Sequence, residues 1–222
     1  LSYGLKGVGN MYKNFLKRVF DITCSLLCMI FLSWAFLLII VIIKIDDPGP
    51  AFFTQKRVGK GKKYFKLHKF RSMKMSTPKD MPTHLLEEPE IYLTKVGKFL
   101  RKFSLDELPQ LWDIFIGNMS VVGPRPALWN QEDLVAERDK YGANDVLPGL
   151  TGLAQISGRD ELEIEEKAAM DGEYVKNLSF LMDLKCFIKT YTSVREHDGV
   201  VEGGTGEIEH QRVMAGWDEE HV

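Results

Sequence analysis

Ser104-Leu105-Asp106-Glu107-Leu108-Pro109-Gln110-Leu111 places two adjacent carboxylates just before a proline and an apolar run. Pro109 limits where a helix can begin here. A proline is tolerated only in the first turn, where its missing N–H would have had no partner. The expected N-cap is therefore Leu105 or Asp106, and the expected helix runs to about Ile116 and stops at Gly117-Asn118. At that position Asp106 would meet free backbone N–H groups and the positive end of the helix dipole, a setting that also suits a phosphate. Two readings are open. Ser104-x-x-Glu107 before an apolar run fits a capping box. Alternatively, a carboxylate held ionised beside an anion site is a nucleophile toward phosphorus. A Ser104 N-cap would leave Pro109 one position too deep, which weighs against the first.

Upstream, residues 96–103 read as a short helix carrying Lys98, Arg101 and Lys102, and residues 76–90 as a surface loop rich in Pro, Thr and charge. Before that loop, residues 51–58 and 63–68 flank Gly59-Lys60-Gly61-Lys62, the pattern of a β-hairpin with a short Gly turn. This region holds Lys56, Arg57, Lys60, Lys62, Lys63, Lys66, Lys69, Arg71, Lys74 and Lys79 and no acid among them. Its interleaved aromatics could stack on bases; beside a membrane segment the same pattern is expected to face lipid phosphates. Asp46-Asp47-Pro48-Gly49-Pro50 is a firm break. Residues 22–43 are uncharged and long enough for a bilayer span, with too long an apolar core for a signal peptide. A simple span should show positive charge on one side, whereas Lys13, Lys17 and Arg18 precede this segment and Lys44 follows it. That leaves open a hairpin that enters and leaves one leaflet, with Ser33 able to bond a freed backbone group at the bend. Cys24 and Cys28 share a helix face and read as packing residues. With Cys186 they make an odd number, which suits a reducing compartment better than a disulfide framework. Residues 1–10 are Gly-rich and are expected to be an expression remnant, with Met11 a natural start.

Downstream, Gly123-Pro124-Arg125-Pro126 holds an arginine in a rigid turn, well suited to bidentate phosphate contact. Residues 131–141 read as a polar helix, and residues 147–152 as loop. Arg159 follows Ser157-Gly158. Residues 161–175 and 179–194 read as amphipathic helices. The acidic, Gly-rich tail from residue 196 is expected to be flexible or ordered by a ligand. The net charge of −2 conceals this basic first half and acidic second half, an asymmetry that points to phosphate-rich ligands, anionic lipid or nucleic acid.

Seven blocks taken together resemble the bacterial sugar transferase family, the small monotopic polyprenyl-phosphate phosphoglycosyl transferases. They are Lys17-Arg18-Val19-Phe20-Asp21, Pro50-Ala51-Phe52-Phe53-Thr54-Gln55-Lys56-Arg57, Lys69-Phe70-Arg71-Ser72-Met73, Leu105-Asp106-Glu107-Leu108-Pro109-Gln110-Leu111, Val122-Gly123-Pro124-Arg125-Pro126, Pro148-Gly149-Leu150-Thr151-Gly152 and Asp183-Leu184-Lys185. The resemblance implies an α+β fold: an N-terminal re-entrant membrane helix (residues 11–47), a mostly helical cytosolic catalytic domain with a small β-hairpin (48–195), and the tail (196–222). It implies transfer of a sugar 1-phosphate from a UDP-sugar to polyprenyl (undecaprenyl) phosphate at the cytoplasmic face of the bacterial inner membrane. Asp106 would be the nucleophile and Glu107 would help to hold Mg²⁺. Arg125 would bind phosphate and Arg159 the nucleotide sugar, with Lys69 and Arg101 nearby. The partners implied are UDP-sugar, polyprenyl phosphate and membrane lipid, with no nucleic acid. The family's Ser-Pro pair within the membrane helix is Ser33-Trp34 here. The rivals are a direct displacement with Asp106 as metal ligand, and a non-catalytic membrane-anchored module that binds anionic lipid.

Overall fold

The structure is a computed structural model that describes residues 11–77, 89–158 and 162–196. The Gly-rich start, most of the 76–90 loop, Arg159 and the tail from residue 197 lie outside the described residues.

A short π-helical turn, Tyr12–Leu16, leads into α1 (Lys17–Phe31) and α2 (Ser33–Asp46). These two helices are bent by 62° relative to each other. The bend falls at Leu32, whose backbone leaves the helical region (φ −92°, ψ 5°), immediately before Ser33. It forms without a proline, and packing explains why. Cys24 and Met29 of α1 lie against one core cluster, while Ile43, Ile39 and Ile40 of α2 belong to a second; Phe36 touches both. Each arm is drawn to its own cluster, and the chain yields between them. The opposite side stays bare: Leu27, Ile30, Phe31, Trp34, Leu37, Val41 and Ile45 are exposed. Among the described residues no single helix is long and apolar enough to cross a membrane, but the bent pair passes that test together by length and composition. Cys24 packs as expected, whereas Cys28 is exposed.

The expected hairpin is present. β1 (Phe52–Val58) and β2 (Tyr64–Phe70) pair antiparallel, from Phe52 opposite Phe70 to Val58 opposite Tyr64, around a 3₁₀ turn with Gly61 at φ +63°. β2 joins both clusters, because Leu67 packs with Leu111 and Ile114, and Phe70 with Leu100, Leu105 and Leu108. α3 (Lys95–Lys102) is capped by the Thr94 hydroxyl, which accepts from the Gly97 N–H. Gly97 lies so close to strand-end backbone that a Cβ there would sit 1.8 Å from the Ser72 carbonyl oxygen. That contact seats α3 on the hairpin.

Two readings of the sequence are corrected here. The Asp-Glu stretch does not open an α-helix. Ser104 adopts φ +54°, Leu105–Glu107 form a 3₁₀ turn, and α4 (Gln110–Ile116) begins only after Pro109. The left-handed Ser104 ends α3 abruptly, and Pro109 cannot donate the bond that would fuse the turn to α4. Ser104 makes no side-chain cap bond, so the capping box is absent. The expected stop does occur at Gly117, left-handed at φ +94°. Second, residues 147–152 are not all loop: β4 (Gly149–Thr151) pairs parallel with β3 (Ser120–Val122). Several cations of the basic run, expected to face lipid phosphates, have partners within the chain. Arg57 donates to Gln55 and the Pro126 carbonyl, Lys62 pairs with Asp139, Lys69 with Glu107, and buried Arg71 with Asp47.

α5 (Glu132–Asp139), α6 (Ile164–Lys176) and α7 (Phe180–Glu196) complete the domain. α1 is fastened to it by polar bonds. Arg18 donates to the Ile114 and Phe115 carbonyls at the C-terminus of α4 (2.6 and 2.8 Å), in the last turn, where a helix runs short of donors for its carbonyls. Buried Asp21 accepts from the Val121 N–H at 2.9 Å. Lys17 and Tyr12 both donate to Asp183 of α7 (2.6 and 2.7 Å).

Candidate active site

Lys69, Asp106, Glu107 and Arg125 converge from β2, the 3₁₀ turn and the loop after β3. Glu107 Oε1 accepts from Lys69 Nζ at 2.8 Å and from Arg125 Nη2 at 3.0 Å. The Asp106 carboxylate lies 3.8 Å from the same Lys69 ammonium. Both acids are largely enclosed, with side chains 9% and 14% exposed, while Arg125 is 42% exposed and faces outward. One carboxylate is thus held by two cations, and its neighbour is buried beside them.

The two acids are driven in opposite directions. Burial pushes the Asp106 carboxyl up. Lys69 opposes that shift and the negative charge of Glu107 adds to it; Arg101 and Arg125 also oppose it. Burial acts on Glu107 too, but the charges of Arg125 and Lys69 and their hydrogen bonds overcome it and hold that carboxyl well below the usual range. Two adjacent carboxyls driven apart in this way are candidates for an acid pair.

The supports of the site follow from local sequence. The positive-φ Ser104 lets the chain reverse between α3 and the carboxylates. Arg101 leaves α3 on the side fixed by Gly97, and its Nε donates to the Ser72 hydroxyl at 3.0 Å. The Arg125 turn is anchored from behind: the Gly123 N–H donates to Thr151 O and the Gly149 N–H to Pro124 O, both at 2.8 Å. A Cβ on Gly152 would fall 2.1 Å from the Gly123 carbonyl oxygen, so only glycine lets the backbones approach this closely. The Tyr174 hydroxyl lies 2.9 Å from the Val122 carbonyl just before the turn.

The residues singled out by sequence therefore meet in space, with one placement outside view. Lys69, Asp106, Glu107 and Arg125 form one cluster, and Arg101 acts on Asp106 through its charge. Arg159 lies outside the described residues; Gly158 before it has φ +148°. The anion site differs from the expected one. Because α4 starts three residues beyond Glu107, cations and not a helix N-terminus supply the positive field around Asp106. Sequence reading missed the bond from Asp21 to Val121 and the Tyr174–Asp183 contact (2.8 Å), both behind the Arg125 turn. The available signal was that Asp21 and Asp183 stand in the quoted blocks Lys17-Arg18-Val19-Phe20-Asp21 and Asp183-Leu184-Lys185.

The donor set can be tested against Mg²⁺. Among the described residues no group of three or more His, Cys, Asp or Glu side chains could hold a metal ion. Mg²⁺ at phosphoryl-transfer sites, however, uses one or two carboxylates plus substrate phosphates and water. Asp106 and Glu107, adjacent and largely enclosed, are the two carboxylates here that could hold an ion in that mode.

The family model for bacterial sugar transferases matches residues 12–197. The chain is 40% identical over 185 residues to the uncharacterized sugar transferase EpsL of Bacillus subtilis (strain 168), covering 83% of this chain and 90% of that protein. It is 37% identical over 201 residues to the undecaprenyl-phosphate galactose phosphotransferase of Salmonella typhimurium, covering 84% of this chain and 42% of that protein. It is 36% identical over 206 residues to the UDP-galactose-lipid carrier transferase of Erwinia amylovora, covering 84% and 42%. It thus spans less than half the length of the latter two and nearly all of the first. With the model matching from the π-helical turn to the end of α7, this chain belongs to the bacterial sugar transferase family.

Proposed function

We propose that this chain transfers a sugar 1-phosphate from a UDP-sugar to undecaprenyl phosphate, releasing UMP, with Asp106 as a covalent nucleophile. The observation that carries the reading is the pairing of a buried Asp106 with a Glu107 already neutralised by Lys69 and Arg125. The names of the Salmonella and Erwinia relatives, a phosphotransferase acting on undecaprenyl phosphate and a UDP-galactose-lipid carrier transferase, support the substrate class.

An Asp106 carboxylate oxygen attacks the phosphorus that bears the sugar. The P–O bond to UMP breaks, and its electron pair leaves on UMP. An oxygen of the lipid phosphate then attacks the same phosphorus, the bond to Asp106 breaks, and the carboxylate returns. Splitting one displacement into two is what a covalent nucleophile contributes. Arg125 and Lys69 offset charge on the phosphate oxygens in both steps. Mg²⁺, held by Glu107 with Asp106 beside it, would supply further charge neutralisation on those oxygens.

Incubation of the enzyme with UDP-sugar and no lipid is expected to release about one UMP per site and leave a sugar phosphate on Asp106, read by mass spectrometry. Excess chelator is expected to abolish turnover and Mg²⁺ to restore it. No UMP without acceptor from an enzyme that turns over with it would establish direct displacement, and full activity in chelator would remove the metal.

We also propose that α1 and α2 enter the inner membrane from its cytoplasmic face and return to that face. The bare apolar side of both arms, the bend before Ser33 and positive charge at both ends support this. With the native cysteines replaced, Ser2→Cys is expected to resist an impermeant thiol reagent in intact spheroplasts. Labelling there would mean that the pair crosses.

A further inference from the structure

His68 and Asp113 make a contact that the reaction scheme does not use. Asp113 is completely buried on α4, and its carboxylate takes two bonds from one residue: the His68 backbone N–H donates to Oδ2 at 2.9 Å, and His68 Nδ1 lies 2.9 Å from Oδ1. A carboxylate can only accept, so Nδ1 carries the proton. Asp113 is itself rigidly seated, because its carbonyl accepts from the Asn118 and Met119 N–H groups that close the end of α4.

The next residue along β2 is Lys69, which points to the other face of the strand and reaches Glu107 and Asp106. Asp113 follows Glu107 on the same continuous stretch of turn and helix. Two neighbouring residues of β2 thus grip the two ends of that stretch. The apolar contacts between these elements, Leu67 with Leu111 and Ile114 and Phe70 with Leu105 and Leu108, are not directional. They hold β2 against the helix but do not fix its position along the strand axis. A paired bond to one buried carboxylate does fix it.

We infer that His68 and Asp113 are a positioning pair that sets the registry of β2 against the carboxylate turn and so aims Lys69 at Asp106 and Glu107. The inference rests on the proposed roles of those two acids for its consequence in rate, and on geometry alone for the placement of Lys69. Nothing here requires chemistry at His68 Nε2.

Asparagine presents an amide N–H close to where Nδ1 stands and has nothing in place of Nε2, whereas leucine fills the space and donates no bond. His68 is about one-third exposed, so both variants should fold, and thermal melting checks that they do. In His68→Leu, kcat for UMP release with lipid acceptor is expected to fall about 10- to 100-fold, the usual result of sub-ångström to ångström misplacement, with KM for UDP-sugar changed less than about twofold. His68→Asn is expected to stay within a few-fold of wild type. Independently of activity, Lys69 should acetylate several-fold faster in His68→Leu than in wild type or His68→Asn, as read by peptide mass spectrometry. Unchanged Lys69 reactivity in folded His68→Leu would overturn the pair. A His68→Asn as impaired as His68→Leu would overturn it too, since the role would then belong to Nε2. Failure of wild type to release UMP would count against the proposed reaction, while the acetylation result would still decide the pair.

Discussion

Asp106→Asn is expected to lose turnover by three orders of magnitude or more while melting no lower than wild type. The amide has the size of the carboxylate but cannot form an acyl phosphate, so the covalent route closes entirely. Stability should move the other way. Burial raises the folded-state pKa of Asp106, and a raised carboxyl contributes stability that is present below the unfolded pKa and lost as pH rises through the folded value. Ionisation of the enclosed carboxyl is therefore a cost to the fold, and the neutral amide removes it. The gain should be on the order of 1 kcal/mol in metal-free buffer, and it should vanish toward pH 3, where the acid is protonated in both states. Melting curves of the two proteins at pH 3, 5 and 7.5, with UMP release at the last, make the check. Substantial turnover by Asp106→Asn would leave Asp106 as a metal ligand. A variant that melts far below wild type would show the carboxylate to be structural.

The largest loss of stability is expected from Asp183→Ala. Asp183 Oδ2 accepts from Lys17 Nζ and Tyr12 Oη, and Oδ1 lies 2.8 Å from the Tyr174 hydroxyl. Its side chain is 3% exposed and that of Lys17 12%. Removing the acid leaves an enclosed ammonium without its countercharge, a change that costs about 3–5 kcal/mol. In a domain of this size that is a fall in melting temperature of roughly 10 °C. Asp183→Asn keeps the acceptor and loses only the charge, so it should fall between the two. Because Lys17 and Tyr12 lie at the start of the N-terminal arm, the alanine variant should also free that arm, seen as faster proteolysis near residue 17. A shift in melting temperature under about 2 °C would mean that the network is solvated and contributes little.

The uneven legibility of this chain in its sequence has physical causes. The hairpin was readable because two seven-residue strands flank a Gly turn, long enough for a pattern to repeat. The β3–β4 pair was not, because three residues in each strand give no alternation to count, and the buried Ser120 and Thr151 break up the apolar run. The carboxylates were found, but their local structure was misjudged. Pro109 fixes only where a single helix can begin; nothing in the residues around it signals that Ser104 takes a left-handed backbone and divides the segment in two. The basic run looked uniform because partners such as Asp47, Glu107 and Asp139 are remote in sequence; Lys69 meets Glu107 across 38 positions and Lys62 meets Asp139 across 77. The same distances explain why Lys69 and Arg125 could be nominated by motif while the geometry that joins them to Glu107 could not be read.

The bend at Leu32 has a mechanical corollary. Arms of 15 and 14 residues are each about 22 Å long at 1.5 Å per residue. In the proposed re-entrant placement, with both outer ends at one surface and the pair bent by 62° away from a straight line, each arm slopes by about 31° and the apex descends only about 11 Å, short of the midplane of a hydrocarbon layer about 30 Å thick. The whole wedge then adds area to one monolayer and none to the other. An anchor of that shape is coupled to lateral packing: it is favoured where the monolayer it occupies is loosely packed or convex, and it is expelled by compression. The same wedge would leave the opposite monolayer free to pass beneath the enzyme, so that its lateral mobility would depend on the viscosity of a single leaflet.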